Sequence, residues 1–263
     1  METLKKLRIL NGNTLKIIAA VLMVIDHVGF LLFPNIIALR LIGRPGYPLF
    51  VFTFAEGCKY TKNKRKHFLM IFVLAVICQL VYYFFANSLY MCILVPFSLA
   101  TLMIYAMQYC KKCLLEETEH KLYEQIFSVL LFLGTIAGTY VFCQFFDVDY
   151  RFSGCMFPVI INLFDFRGIS MGEGRPIEKL DCFPMRIACV CVGLIGVCVE
   201  TVIVFPSVAL YVPFYFLAIP LLLMYNEQKG KANLKYFFYL FYPLHLVLIE
   251  GIYLLTLLVN IPH

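Results

Sequence analysis

The sequence has no tryptophan, few charges and no segment polar enough to fold as a soluble domain. Charged residues make up 14% of the chain and hydrophobic ones 62%, against about 25% and about 45–50% in a soluble domain. That balance excludes a water-soluble globular core and fits a polytopic membrane protein. Without tryptophan, an aromatic belt at the membrane–water interface has to be built from the 17 tyrosines. Internal repeats and low-complexity tracts are also absent, and the chain, 1–263, reads as a single integral domain. A cleavable signal peptide is not expected. The apolar run after the basic residues 1–13 is too long for a signal h-region and lacks a small-residue cleavage site.

The eleven cysteines form no paired CxxC set and no Cys/His spacing of the zinc type, so no metal is expected. Cys110 and Cys113 make one CxxC beside lysines. Most cysteines lie in apolar runs, where the residue acts as a small buried hydrophobe.

What the sequence does have is long apolar stretches, and a span needs about 20 such residues. Nine are legible, at about 14–33, 36–58, 68–87, 89–109, 122–144, 153–168, 185–204, 207–225 and 236–259. They predict an all-α, polytopic helix bundle. Placing the N-terminus in the cytoplasm puts 19 of the 22 lysines and arginines in inner segments and leaves Arg40, Arg44 and Arg151 on the outer side. This is the asymmetry of the positive-inside rule. The net charge of +6 is therefore topological. It points to a multi-pass protein of the cytoplasmic membrane, with the lipid bilayer and not nucleic acid as its partner.

Residues 14–67 break the apolar pattern with Asp26, His27, Arg40, Arg44 and Glu56. An ionisable group at the bilayer centre costs roughly 2.5–3.5 kcal/mol, so each is a functional-site candidate. Asp26 and His27 are about 100° apart on a helix and flank one cavity rather than share a face. Histidine suits general-base work near neutral pH, and a carboxylate can fix its tautomer; the alternative is a structural pair bonded to neighbouring helices.

Arg40 and Arg44, four apart, face the same way on a helix. They form either a fork for phosphate groups such as those of coenzyme A, or pairs with Asp26, Glu56 or Glu200 that hold helices together. The GRPGYP stretch from Gly43 to Pro48 interrupts that span, as is tolerated where backbone lines protein or water. Glu56 either joins a site or answers nearby lysines at the interface. The segment around Asp147, Asp149, Tyr150 and Arg151 either lines the mouth of a site or is an exposed turn. His245 follows Pro243, where a kink opens helix packing. Of the five histidines, only His27 and His245 fall inside spans, on the first and last helices. Glu200 and Glu250 are candidate counter-ions for the two arginines.

Four motifs, IDHVG, LRLIGRPGYPLFVFTFAEGCKYTKN, DYRFSG and KYFFYLFYPLHL, occur in this order over most of the chain. Together they resemble the TraX family of membrane acetyltransferases, named for an F-pilin acetylation protein. Asp26, His27, Arg40, Arg44, Glu56, Tyr150 and His245 match its recurring positions, while Pro45 and Arg151 depart from its pattern. The resemblance implies an enzyme that moves acetyl from acetyl-CoA onto an amine or hydroxyl of an extracytoplasmic or membrane-associated acceptor, a peptide or a glycan. In that reading His27, assisted by Asp26, deprotonates the acceptor, and His245 is a second acid/base. Arg40 and Arg44 hold donor phosphate or the developing oxyanion, and Glu56 and Tyr150 contact the acceptor. The alternative is a transporter or export accessory that uses the same buried charges as a pathway, although no inverted repeat is visible.

Overall fold

The computed structural model describes residues 8–86, 89–117, 120–171, 176–232 and 234–259. They are mainly helical: α1 Gly12–Leu31, α2 Ile37–Gly43, α3 Gly46–Tyr60, α4 Lys64–Ala86, α5 Leu94–Leu115, α6 Leu122–Phe145, α7 Arg151–Ile161, α8 Phe183–Val204, α9 Ala218–Leu223 and α10 Lys235–Val259, with 3₁₀ segments at Pro176–Leu180 and Pro206–Leu217. Among the described residues the only β pairing is two isolated bridges. The chain divides into two compact units, one formed by the described residues of Met1–Thr53, Leu80–Ser88 and Thr201–His263, the other by those of Phe54–Gln79 and Leu89–Glu200.

Among the described residues, six segments have the length and apolarity to cross a membrane: Gly12–Leu31, Lys64–Phe84, Leu122–Phe145, Phe183–Val204, Pro206–Leu223 and Leu240–Leu258. The nine expected from hydropathy are not reached, for three physical reasons. The second stretch breaks at Arg44-Pro45 into α2 and α3. The fourth, α5, is long enough but carries Ser98, Thr101, Gln108, Lys111 and Lys112, and many of its side chains are buried inside its own unit. The sixth, α7, has 11 residues, a rise of only about 17 Å.

The first unit is anchored at the start of α1. Asn11 caps the helix by accepting from the Thr14 N–H at 3.0 Å, the expected use of Asn at that position. Gly12 and Asn13 donate backbone hydrogen bonds to the Gln228 and Lys229 carbonyls at 2.7 and 3.0 Å, and Leu10 pairs with the backbone of Met224 and Asn226. Gly230, at φ 91°, makes this approach possible. A Cβ there would also lie 2.6 Å from the Asn11 side-chain oxygen. Farther along, α1 packs on α2 and α3 through glycines. A Cβ on Gly43 would sit 2.5 Å from the Asp26 Cβ, and one on Gly29 would sit 2.6 Å from the Leu39 Cβ. The small residues in GRPGYP thus set how closely α2 approaches α1.

The second unit is organised around α5, whose Met103, Ile104 and Met107 pack with Cys58, Cys143, Cys155 and Val159. All of these side chains are buried. Helix α7 starts from Tyr150 and Arg151, both with positive φ (57° and 50°). Its exposed N-terminus is met by Glu200, which accepts from the Ser153 N–H at 2.8 Å and pairs with Arg151 at 3.6 Å. A carboxylate at a helix N-terminus satisfies both the free N–H groups and the helix dipole.

Candidate functional site

Asp26 stands at the middle of the polar site in the first unit. Its carboxylate takes Arg40 at 3.0 Å on one oxygen and Arg44 at 3.5 Å on the other; Arg40 also donates to the Asp26 carbonyl at 3.2 Å. The packing of Gly43 against the Asp26 backbone is what brings two guanidiniums to one carboxylate. Aromatic faces cover the cations: Arg40 lies 4.7 Å from the Phe30 ring centroid, and Arg44 lies 5.2 Å from Tyr211 and 5.8 Å from Tyr215. The Arg44 guanidinium donates to the Tyr215 hydroxyl at 3.1 Å. Cation–π contacts of this kind suit a planar guanidinium in a desolvated setting.

The two intramembrane histidines meet beside this cluster. Their ring centroids are 5.1 Å apart, edge to face. Each ring is pinned to its own helix: His27 Nδ1 lies 2.9 Å from the Met23 carbonyl, and His245 Nδ1 lies 3.0 Å from the Phe241 carbonyl. A carbonyl can only accept, so each Nδ1 carries the proton, and a neutral ring presents Nε2 as a lone pair. His245 Nε2 is buried and has no hydrogen-bond partner among the described residues. Such an atom costs free energy until a proton donor reaches it. The geometry therefore provides two imidazole bases beside a cluster in which Asp26, Arg40 and Arg44 sum to a formal charge of +1.

Other residues singled out in the sequence lie elsewhere. Glu56 belongs to the second unit, where it bonds Arg186 at 2.8 Å with both side chains buried. Next to it, Lys59 bridges Asp165 at 3.2 Å and Asp181 at 3.1 Å. Lys111 donates to the Asn162 and Asp165 carbonyls at 2.8 and 3.0 Å. Burial pushes the Lys111 ammonium down to about 8, against the pull of Asp165 and Asp181. Tyr150 is the left-handed residue that opens α7, and its carbonyl accepts from Gly154 at 2.9 Å. Glu200 serves Arg151 and the α7 N-terminus, not Arg40 or Arg44. The tautomer of His27 is set by Met23, while the Asp26 carboxylate is held by the arginines.

Sequence reasoning missed Tyr211 and Tyr215, although two tyrosines four apart in an apolar stretch were a usable signal. It also counted Lys59, Lys111 and Arg186 only for topology. The acid in the LFDFRG stretch, Asp165, was the hint that they had a counter-charge to meet.

A family model described as TraX protein matches residues 11–253. The chain belongs to the TraX family. No curated protein and no solved structure matches it. The TraX match begins at the Asn11 cap and runs past His245, so it takes in every residue of the imidazole and arginine cluster. Together with the six long apolar helices, TraX membership makes this a multi-pass membrane protein.

Proposed function

We propose that the protein is a membrane acetyltransferase that moves acetyl from acetyl-CoA to an amine or hydroxyl. It would work in the cytoplasmic membrane, with its N-terminus inside as the lysine and arginine distribution indicates. The observation that carries this reading is the pair of imidazoles 5.1 Å apart, each Nδ1 tied to a carbonyl and each Nε2 available, beside the Arg40–Asp26–Arg44 cluster. An acyl transfer needs a base for the acceptor proton and positive charge where the oxyanion develops.

In the reaction, His27 Nε2 takes the acceptor's proton as the acceptor lone pair attacks the thioester carbonyl carbon. Negative charge gathers on the carbonyl oxygen near Arg40 and Arg44, which Asp26 holds in place. The C–S bond then breaks and the coenzyme leaves as a thiolate, which takes the proton back from the imidazolium. His245 serves as the second acid/base. Nothing is oxidised or reduced, and the products are an acetyl ester or amide and free coenzyme A.

The test is release of free coenzyme A from acetyl-CoA by purified protein in detergent or nanodiscs, wild type beside His27→Ala and His245→Ala. Release by the wild type that falls by two orders of magnitude or more in His27→Ala is expected, since a positioned general base contributes about 10²–10⁴. Equal rates in the wild type and both variants would remove the imidazoles from the chemistry and overturn the proposal.

A further inference from the structure

An apolar groove of about 450 Å³ lies between α1 and α10 in the first unit. Two stripes of side chains form its walls, and both run into the histidine pair. On α1, Ile17, Ala20 and Val24 are followed at the next turn by His27. On the other wall, Leu234 just before α10 and Phe237 and Phe241 on it are followed by His245. The spacings of three and four residues keep each stripe on one helix face. The join is direct, because the Phe241 ring stacks on the His245 imidazole at 4.9 Å and 8°. Ile17, Val21 and Phe237 are each about half exposed (46%, 54% and 55%), so a ligand can enter from the side, out of the bilayer.

The lining selects the occupant. Every wall residue is apolar, so the pantetheine arm of coenzyme A, with its two amides, would leave polar groups unsatisfied there. A hydrocarbon chain loses nothing. From Ile17 to His27 is ten residues of helix, about 15 Å, which is half the roughly 30 Å hydrocarbon thickness of a bilayer and the reach of one lipid chain in one leaflet. Beside the histidines stands the cluster of two guanidiniums and one carboxylate. Guanidinium forks of this kind are the side chains best suited to a phosphate.

We propose that the acceptor is a membrane phospholipid bearing a free amine or hydroxyl. Its chain lies in the α1–α10 groove, its phosphate faces Arg40 and Arg44, and its nucleophile reaches the imidazole pair. This rests on the acetyltransferase reading and narrows its acceptor to a lipid. The headgroup O–H or N–H gives its proton to His27, and the acetyl carbon–sulfur bond is exchanged for a carbon–oxygen or carbon–nitrogen bond.

The test uses the whole protein in phosphatidylcholine nanodiscs containing a trace of phosphatidylethanolamine or phosphatidylglycerol with a diazirine on one chain, together with acetyl-CoA labelled in the acetyl group. After irradiation, adducts mapped by peptide mass spectrometry are expected on residues 17–25 and 234–241. They should exceed by about tenfold those on α6, whose Ile126, Leu130 and Leu133 are equally exposed. Val24→Phe, which fills the groove, is expected to remove that excess, with a thermal unfolding curve confirming that the variant is folded. Label is expected in the organic extract of the wild type. Adducts spread evenly over α1, α6 and α10 would overturn the groove. Coenzyme A release with label only in water-soluble product would overturn the lipid acceptor while leaving the acetyltransferase reading standing. Groove adducts without any coenzyme A release would overturn that reading and the acceptor role together.

Discussion

The two units each bury charge, and they do so in opposite ways. In the second unit Lys59, Lys111 and Arg186 face Glu56, Asp165 and Asp181, as many cations as anions, with the close pairs at 2.8–3.2 Å. In the first, Asp26 answers both Arg40 and Arg44, and two histidines sit beside them with a buried nitrogen lacking a partner among the described residues. In the balanced cluster each carboxylate meets a cation at 2.8–3.2 Å. In the unbalanced one the buried His245 nitrogen costs free energy until a proton donor reaches it. In the proposed reading, buried polarity serves architecture in one unit and chemistry in the other.

The largest effect should come from cutting into the unbalanced site. His27→Ala is expected to lower coenzyme A release by about 10²–10⁴ with a much smaller effect on thermal unfolding, since the ring makes one hydrogen bond, to Met23, and one edge contact, to His245. Next comes the balanced site, where Glu56→Leu would leave Arg186 buried without its carboxylate. A loss of about 3–5 kcal/mol is expected, with the double variant Glu56→Leu/Arg186→Leu recovering most of it, as measured by denaturation in detergent. If Glu56→Leu left stability unchanged, the architectural half of the comparison would fail.

Gly43→Ala sits at the source of the unbalanced site. Its methyl would meet Asp26 at 2.5 Å, and overpacking of this kind costs about 1–3 kcal/mol. Here stability and activity should fall together, because separating α1 from α2 pulls Asp26 away from the arginines. The smallest effect concerns Lys111. With its pKa near 8 in the fold and near 10.4 when unfolded, the folded state binds fewer protons between those values. Stability should therefore rise with pH across that window. Lys111→Met should flatten that rise in melting temperatures recorded from pH 7 to 10.

Much of this arrangement could be read from residue order. Hydropathy located nearly every helix, proline and glycine located the α2–α3 break, and the rarity of ionisable groups in apolar runs picked out Asp26, His27, Arg40, Arg44 and His245. Partners were less legible. That Asp26 serves both arginines depends on Gly43 admitting α1 to contact, a distance no pattern records. That His27 is oriented by Met23 depends on a backbone carbonyl, which every residue has. The lysines near the inner ends of helices looked like topology signals because the rule that counts them is blind to depth; Lys59, buried between Asp165 and Asp181, satisfies both descriptions. The span count fell short because hydropathy measures composition, while crossing also depends on rise and on which neighbours a helix packs against.

Along Pro206–Leu223, three prolines at 206, 213 and 220 each remove a backbone donor. The 3₁₀ coil of Pro206–Leu217 rises about 2.0 Å per residue instead of about 1.5 Å. The 18 residues of Pro206–Leu223 thereby extend to about 33 Å, where an α-helix of the same length would stop near 27 Å. The same winding turns residues four apart through about 120° rather than about 40°. Tyr211 and Tyr215 therefore open like the jaws of a clamp instead of lying in one column, and Arg44 sits in the gap between them.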